Sequence, residues 1–245
     1  MLQALISHRL ISPPAIWGKL SGHADFVRSG VRHGEGEGWQ SWLAAHAALD
    51  AVKGAALLPA ALVLPPGSLA FAPGYFVLGV VVPSADRTGR RHALLVYQRA
   101  HARWVRRHFE AQADHPRDWL FWLARAVGRH GAAGATGELQ VLERTVHALW
   151  QLHRPALSRL GRAAPAAETA GTKDARSQVL LDRLAGLATV DDAAGDLSGV
   201  RHLPWAGWPA RLHGAHAQSV FWQQDAAGGF VNAGTRLADI WRTES

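Results

Sequence analysis

The chain has 245 residues, 48% hydrophobic and 18% charged, and no Cys. Such a composition is globular rather than disordered, and the lack of Cys excludes a disulfide framework, thiolate nucleophiles and Cys-ligated metals. The 26 Lys and Arg against 19 Asp and Glu give a net charge of +7, but the cations are mostly scattered Arg with short clusters at Arg87–Arg91 and Arg103–Arg107, so no specific nucleic-acid partner is expected.

From the N-terminus, the apolar stretch of Met1–Pro14 is broken by His8, Arg9 and Pro13 and lacks the pattern of a signal peptide. No window approaches a membrane span, so a cytoplasmic protein without membrane insertion is expected. Ala15–Leu20 reads as a strand, followed by a loop through Gly30. Gly34-Glu35-Gly36-Glu37-Gly38 looks like a phosphate cradle but lacks the Lys-Ser/Thr of a P-loop, and its Glu would repel phosphate; it reads as a loop before a helix. Trp39–Val52 has helical spacing, Leu57–Leu64 is ambiguous between helix and strand, and Leu69–Phe71 reads as a short strand.

Two Val- and Leu-rich runs, Phe76–Val82 and Ala93–Tyr97, read as strands on either side of a polar loop in which Pro83 ends the first. Neither alternates apolar with polar, so both faces should be covered. Helices are expected over Arg99–Gln112, after Pro116 as far as Gly128, over Glu138–Leu160 and over Ser177–Leu187. Residues 161–176 form a candidate linker or mobile loop. Ala217–Gln223 reads as a strand, Phe230–Asn232 as its return, and Thr235 as the cap of a final helix to Trp241. Together these elements predict one domain over residues 1–245, a three-layer α/β/α sandwich around a central mixed sheet.

Signals of catalysis are few. There is no HExxH and no nucleophile elbow; His213 and His216 sit three apart in a Gly/Ala-rich loop, and Ser84 follows a strand with no His tied to it. Asp25 and Asp86 both follow predicted strands. If those strands are neighbours, Asp25, Asp86, Lys19, Arg87 and Arg90 meet, either as a recognition site of fixed charges or as an ion-pair network that caps the loops. A two-carboxylate hydrolytic site is a third option.

Two motifs together carry a family resemblance. Trp17-Gly18-Lys19-Leu20-Ser21-Gly22-His23-Ala24-Asp25-Phe26-Val27-Arg28 resembles the opening motif of the TagF (ImpM, SciT) proteins, with Leu20-Ser21 where the family has Pro and Ala24 where it has Gly. Pro83-Ser84-Ala85-Asp86-Arg87-Thr88-Gly89-Arg90 resembles their second signature, and Ser219-Val220-Phe221-Trp222 looks like their C-terminal strand, with Phe221 for the first Trp. The resemblance implies an α/β/α fold and a non-catalytic accessory protein of bacterial type VI secretion. Such a protein acts after translation and restrains assembly of the contractile apparatus, with a forkhead-associated scaffold protein as partner. It implies no cofactor and no metal. The candidate partner-binding residues are Gly18, Lys19, Asp25, Phe26, Arg28, Ser84, Asp86, Arg87, Gly89 and Arg90, with Ser219 and Trp222 as a secondary motif. The competing reading is a small metal-dependent hydrolase or phosphatase using Asp25 and Asp86; a nucleic-acid binder using basic clusters and Trp stacking ranks third.

Overall fold

The computed structural model describes residues 10–47, 58–113, 119–131, 137–153, 212, 217–224 and 230–241. Seven strands form one sheet: β1 (Ala15–Gly18), β2 (Val27–Ser29), β3 (Ala60–Leu64), β4 (Tyr75–Ala85), β5 (Arg91–His101), β6 (Val220–Gln224) and β7 (Phe230–Gly234). Their order across the sheet is β2-β1-β5-β4-β3-β6-β7. Every pairing among them is antiparallel. The expected mixed sheet is therefore corrected. A short turn joins β4 to β5, and none of the described pairs needs the crossover that parallel neighbours require.

Among the described residues, five helices accompany the sheet: α1 (Glu35–His46), α2 (Ala102–Ala113), α3 (Trp119–Gly131), α4 (Leu139–His153) and α5 (Leu237–Trp241). Along β4, Phe76, Leu78, Val80 and Val82 pack in one cluster with Trp104 of α2, Trp119 and Leu123 of α3 and Leu142 and Val146 of α4. Val77 and Val81 pack in a second cluster with Trp39 and Leu43 of α1 and Leu237 and Trp241 of α5. A sheet covered on both faces has no polar alternation, which is why the β4 and β5 runs are continuous.

The strands run further than the sequence suggested. Pro83 does not end β4 but pairs with Ala93. The reason lies in the ladder. Asp86 N–H donates to Arg90 O at 3.1 Å, so Asp86 and Arg90 form a hydrogen-bonded pair. Antiparallel alternation then makes Ser84 with His92 the next such pair and Pro83 with Ala93, one step beyond it, a non-hydrogen-bonded pair. The missing N–H of Pro83 falls on the β3 side, where pairing has already stopped at Ala60 with Val81.

Three other expectations shift. Leu69–Phe71 is a turn, not a strand; Ala72 N–H donates to Leu69 O at 3.0 Å. Helix α3 continues through Gly128 to Gly131, and a Cβ at Gly128 would lie 2.9 Å from Pro59 Cγ, so this close packing calls for glycine there. The final helix begins at Leu237 rather than directly after Thr235. The expected helix Ser177–Leu187, the loop 161–176, His213 and His216 lie outside the described residues.

Helix α1 starts inside the Gly-rich stretch. Gly34 takes φ 78 before it, and Glu35 is the first helical residue. Glu35 is buried, with hydrogen bonds to one carboxylate oxygen and an ion pair at the other. Tyr97 O–H donates to Oε2 at 2.7 Å, Arg32 N–H donates to the same oxygen at 3.0 Å, and Arg99 pairs with Oε1 at 3.1 Å. Burial, then the hydrogen bond to Glu35, pushes the Tyr97 phenol above its ordinary range. The bond ties α1 to the central strand β5. Tyr97→Phe is expected to cost about 1–3 kcal/mol in urea unfolding, the range for a lost hydrogen bond to a buried charge.

Candidate functional site

The site is the tip of the β4–β5 hairpin. Arg87, Thr88 and Gly89 form a three-residue loop. Gly89 takes φ 83 and its N–H donates to Asp86 O at 2.9 Å. That is a type I turn closed by a residue in the left-handed region, a geometry for which Gly is suited.

Asp86 organises this loop from inside. Its side chain is 0% exposed. Oδ1 accepts Thr88 N–H at 2.9 Å, Thr88 O–H at 2.7 Å and Arg90 N–H at 2.9 Å. Oδ2 accepts Lys19 Nζ at 2.9 Å and Arg90 Nε at 2.6 Å. Burial alone would push the carboxyl up. The bonds from Lys19, Thr88 and Arg90 outweigh it and hold the carboxyl well below the usual carboxylate range. Five donors exceed the roughly four lone-pair positions of a carboxylate. Asp86 thus has no acceptor capacity left for a metal ion or a reacting proton.

Lys19 comes from just beyond β1, which pairs with β5 rather than with β4. Its N–H donates to Ala93 O at 3.3 Å, and its ammonium reaches past β5 to Asp86. The ammonium also lies 5.5 Å from the centre of the Phe26 ring. Phe26 stacks on Trp17 at 5.3 Å and 28°, and the His92 ring meets both edge-on, at 4.8 Å and 5.2 Å. Burial, together with the nearby Lys19 cation, lowers the His92 pKa against the opposing pull of its bond to Ala93 O, favouring the neutral ring.

The loop after β1 is held at three points. Arg87 N–H donates to His23 O at 2.8 Å, and Arg90 Nη2 donates to Ala24 O at 2.6 Å. On the other side, Leu139 N–H at the start of α4 donates to His23 Nε2 at 3.3 Å. The hairpin tip, the β1–β2 loop and α4 are thereby locked together.

This geometry separates the predicted residues. Lys19, Asp86 and Arg90 converge, although β1 and β4 are not neighbours and β5 lies between them. Asp25 does not join them; it is exposed, and Oδ1 accepts Phe26 N–H at 2.8 Å. Ser84 is buried in β4, and Gly18 is buried in β1. Arg87 and Arg28 are exposed, and the Arg90 side chain is 62% exposed although it bonds inward. Trp222 is a core residue of β6 between Ala61 and Ala233, and Ser219 precedes β6. Neither lies at the tip. The sequence did not single out His23, Trp17 or His92 as parts of the site. Their roles come from a backbone carbonyl and from ring packing across strands, which no spacing encodes.

Among the described residues, no group of three or more His, Asp or Glu is placed to hold a metal ion, and no helix is long and apolar enough to cross a membrane. Comparison with curated proteins gives no match. Among solved structures, the chain is similar to that titled crystal structure of PA0076 from Pseudomonas aeruginosa PAO1, at 22% identity over 70% of this chain and 78% of that one, with a TM-score of 0.44. The family model of the TagF N-terminal domain, described as type VI secretion system-associated, matches residues 15–149. That span holds both loops of the hairpin-tip site and more than half of the chain, so the protein belongs to the type VI secretion system-associated TagF family.

Proposed function

We propose that the chain is a non-catalytic, cytoplasmic regulator of type VI secretion that works by binding a partner protein through the hairpin tip. Its role is to restrain assembly of the apparatus after translation, with a forkhead-associated scaffold protein as the partner. The saturated carboxylate of Asp86 carries this reading. It builds a rigid loop instead of presenting a reactive group, and that loop leaves the Arg87 charge exposed, with the Arg90 side chain 62% exposed although it bonds to Asp86 and Ala24. Fixed charges around an apolar anchor give specificity to a protein interface. The lack of Cys suits a reducing compartment. Helices packed on both faces of the sheet support a three-layer arrangement. No observation favours the hydrolase reading, because Asp25 and Asp86 do not share a site.

The test is secretion of the type VI tube protein from the native host. Overexpression of the wild-type chain is expected to suppress it. Arg87→Glu changes an exposed charge whose side chain has no part in the Asp86 network. It is expected to weaken partner affinity about 10-fold or more and relieve the suppression, with an unchanged melting temperature. Secretion that ignores both overexpression and deletion overturns the proposal.

A further inference from the structure

A second site lies at the far end of the sheet. Val63 pairs with both Leu78 and Val220, so the start of β6 lies level with the early part of β4, across β3, about 27 Å along the strand from Asp86 at about 3.4 Å per residue. There the last turn of α1, the start of β6 and the start of α5 enclose a cavity of ≈ 250 Å³. One wall is aromatic. The His46 ring stacks on Trp42 at 4.7 Å and 10°, held by its Nδ1–H, which donates to Trp42 O at 2.8 Å, and Phe221 lies 6.2 Å from Trp42. The other side is lined by the polar residues Ser219, Thr235 and Arg236.

We propose that this cavity binds a small aromatic carboxylate. The volume is below the roughly 300–1,000 Å³ of a drug-sized site, which limits the ligand to about one ring and a short arm. The exposed His46 ring, backed by Trp42, suits a ring, and Arg236, whose side chain is 72% exposed, matches a carboxylate in charge and shape. Arg236 has an internal neighbour, Asp239, but their 3.7 Å separation is too long for a hydrogen bond. The cavity combines α1, inside the matched family span, with Ser219, Phe221 and residues 235–238 beyond it. Its occupancy does not depend on the hairpin-tip reading. The same chemistry is offered by a free aromatic acid and by the C-terminal aromatic residue of a peptide.

Calorimetry on the full chain tests this with phenylacetate, N-acetylphenylalanine and the neutral phenylacetamide. Phenylacetate is expected to bind at millimolar concentration or below. Arg236→Gln should weaken it about 3-fold, the small effect of an exposed charge pair, and leave phenylacetamide unchanged. Ala45→Trp, at an exposed α1 position that lines the cavity, should fill the space and abolish binding of all three without lowering the melting temperature. Tighter binding of N-acetylphenylalanine supports the site with a peptide terminus as the source; tighter binding of phenylacetate supports it with a free acid. No heat at millimolar phenylacetate, or binding that both variants leave unchanged, overturns the proposal.

Discussion

Asp86→Asn is expected to lower the melting temperature by on the order of 10 °C, the scale for breaking a buried charge pair in a chain of this size. The amide keeps the shape of the carboxyl, and its oxygen can still accept from Thr88 and Arg90 backbone. Its NH₂ group, however, would face Lys19 and Arg90, two donors. Lys19, whose side chain is 9% exposed, would be left a buried cation without its counter-charge. The pH dependence gives a separate check. The folded carboxyl is held below its ordinary value of 3.8. Its stabilisation is therefore fully present above about pH 4 and is lost as pH falls through the acid range. Thermal melts between neutral pH and pH 2 should fall more steeply for wild type than for Asp86→Asn. Parallel curves would mean that the network contributes no pH-dependent stability.

The central hairpin was legible because its Val-rich strands are local and buried on both faces, which leaves a mark in composition. The meeting of Lys19 with Asp86 was legible only in part: the sequence offers it on the condition that their strands are neighbours, whereas β5 lies between β1 and β4 and the Lys19 side chain crosses it. What the sequence hid is non-local. Nothing near Leu62 says that it pairs with Phe221, yet that pairing fixes the order of the strands. The Gly-rich start of α1 read as a loop because Gly disfavours a helix; its anchor is a buried Glu35 held by Tyr97 and Arg99 on a strand much later in the chain. Asp25 looked like a partner for Asp86 by its position after a strand. Its carboxylate instead bonds the next residue, the ordinary habit of Asp in a loop. Recognition surface and ion-pair network were posed as alternatives for one set of residues. In the fold, Asp86 and Lys19 form the inner network, and Arg87 stands exposed outside it.

Gly18→Ala is expected to leave little folded protein, and Gly34→Ala to cost only about 1 kcal/mol, the penalty of a left-handed residue with room around it. Both glycines have positive φ, 134 at Gly18 and 78 at Gly34. They differ in what surrounds them. A Cβ at Gly34 would meet nothing within 4 Å, whereas at Gly18 it would strike Ala93 O and lie 2.8 Å from Leu94 Cα. Those atoms belong to the backbone of β5, which is paired on its other side to β4 and cannot yield without moving the hairpin. Ala93 O also accepts the Lys19 N–H and the His92 Nδ1–H. Displacing β1 from β5 would pull Lys19 from Asp86 and His92 from Trp17 and Phe26 together. Urea unfolding of the two variants measures the difference. Equal losses would show that the close approach of β1 to β5 is not what the glycine serves. A much larger loss at Gly18 would make the Gly-Lys pair of the opening motif a device for delivering an ammonium across a strand to the hairpin tip.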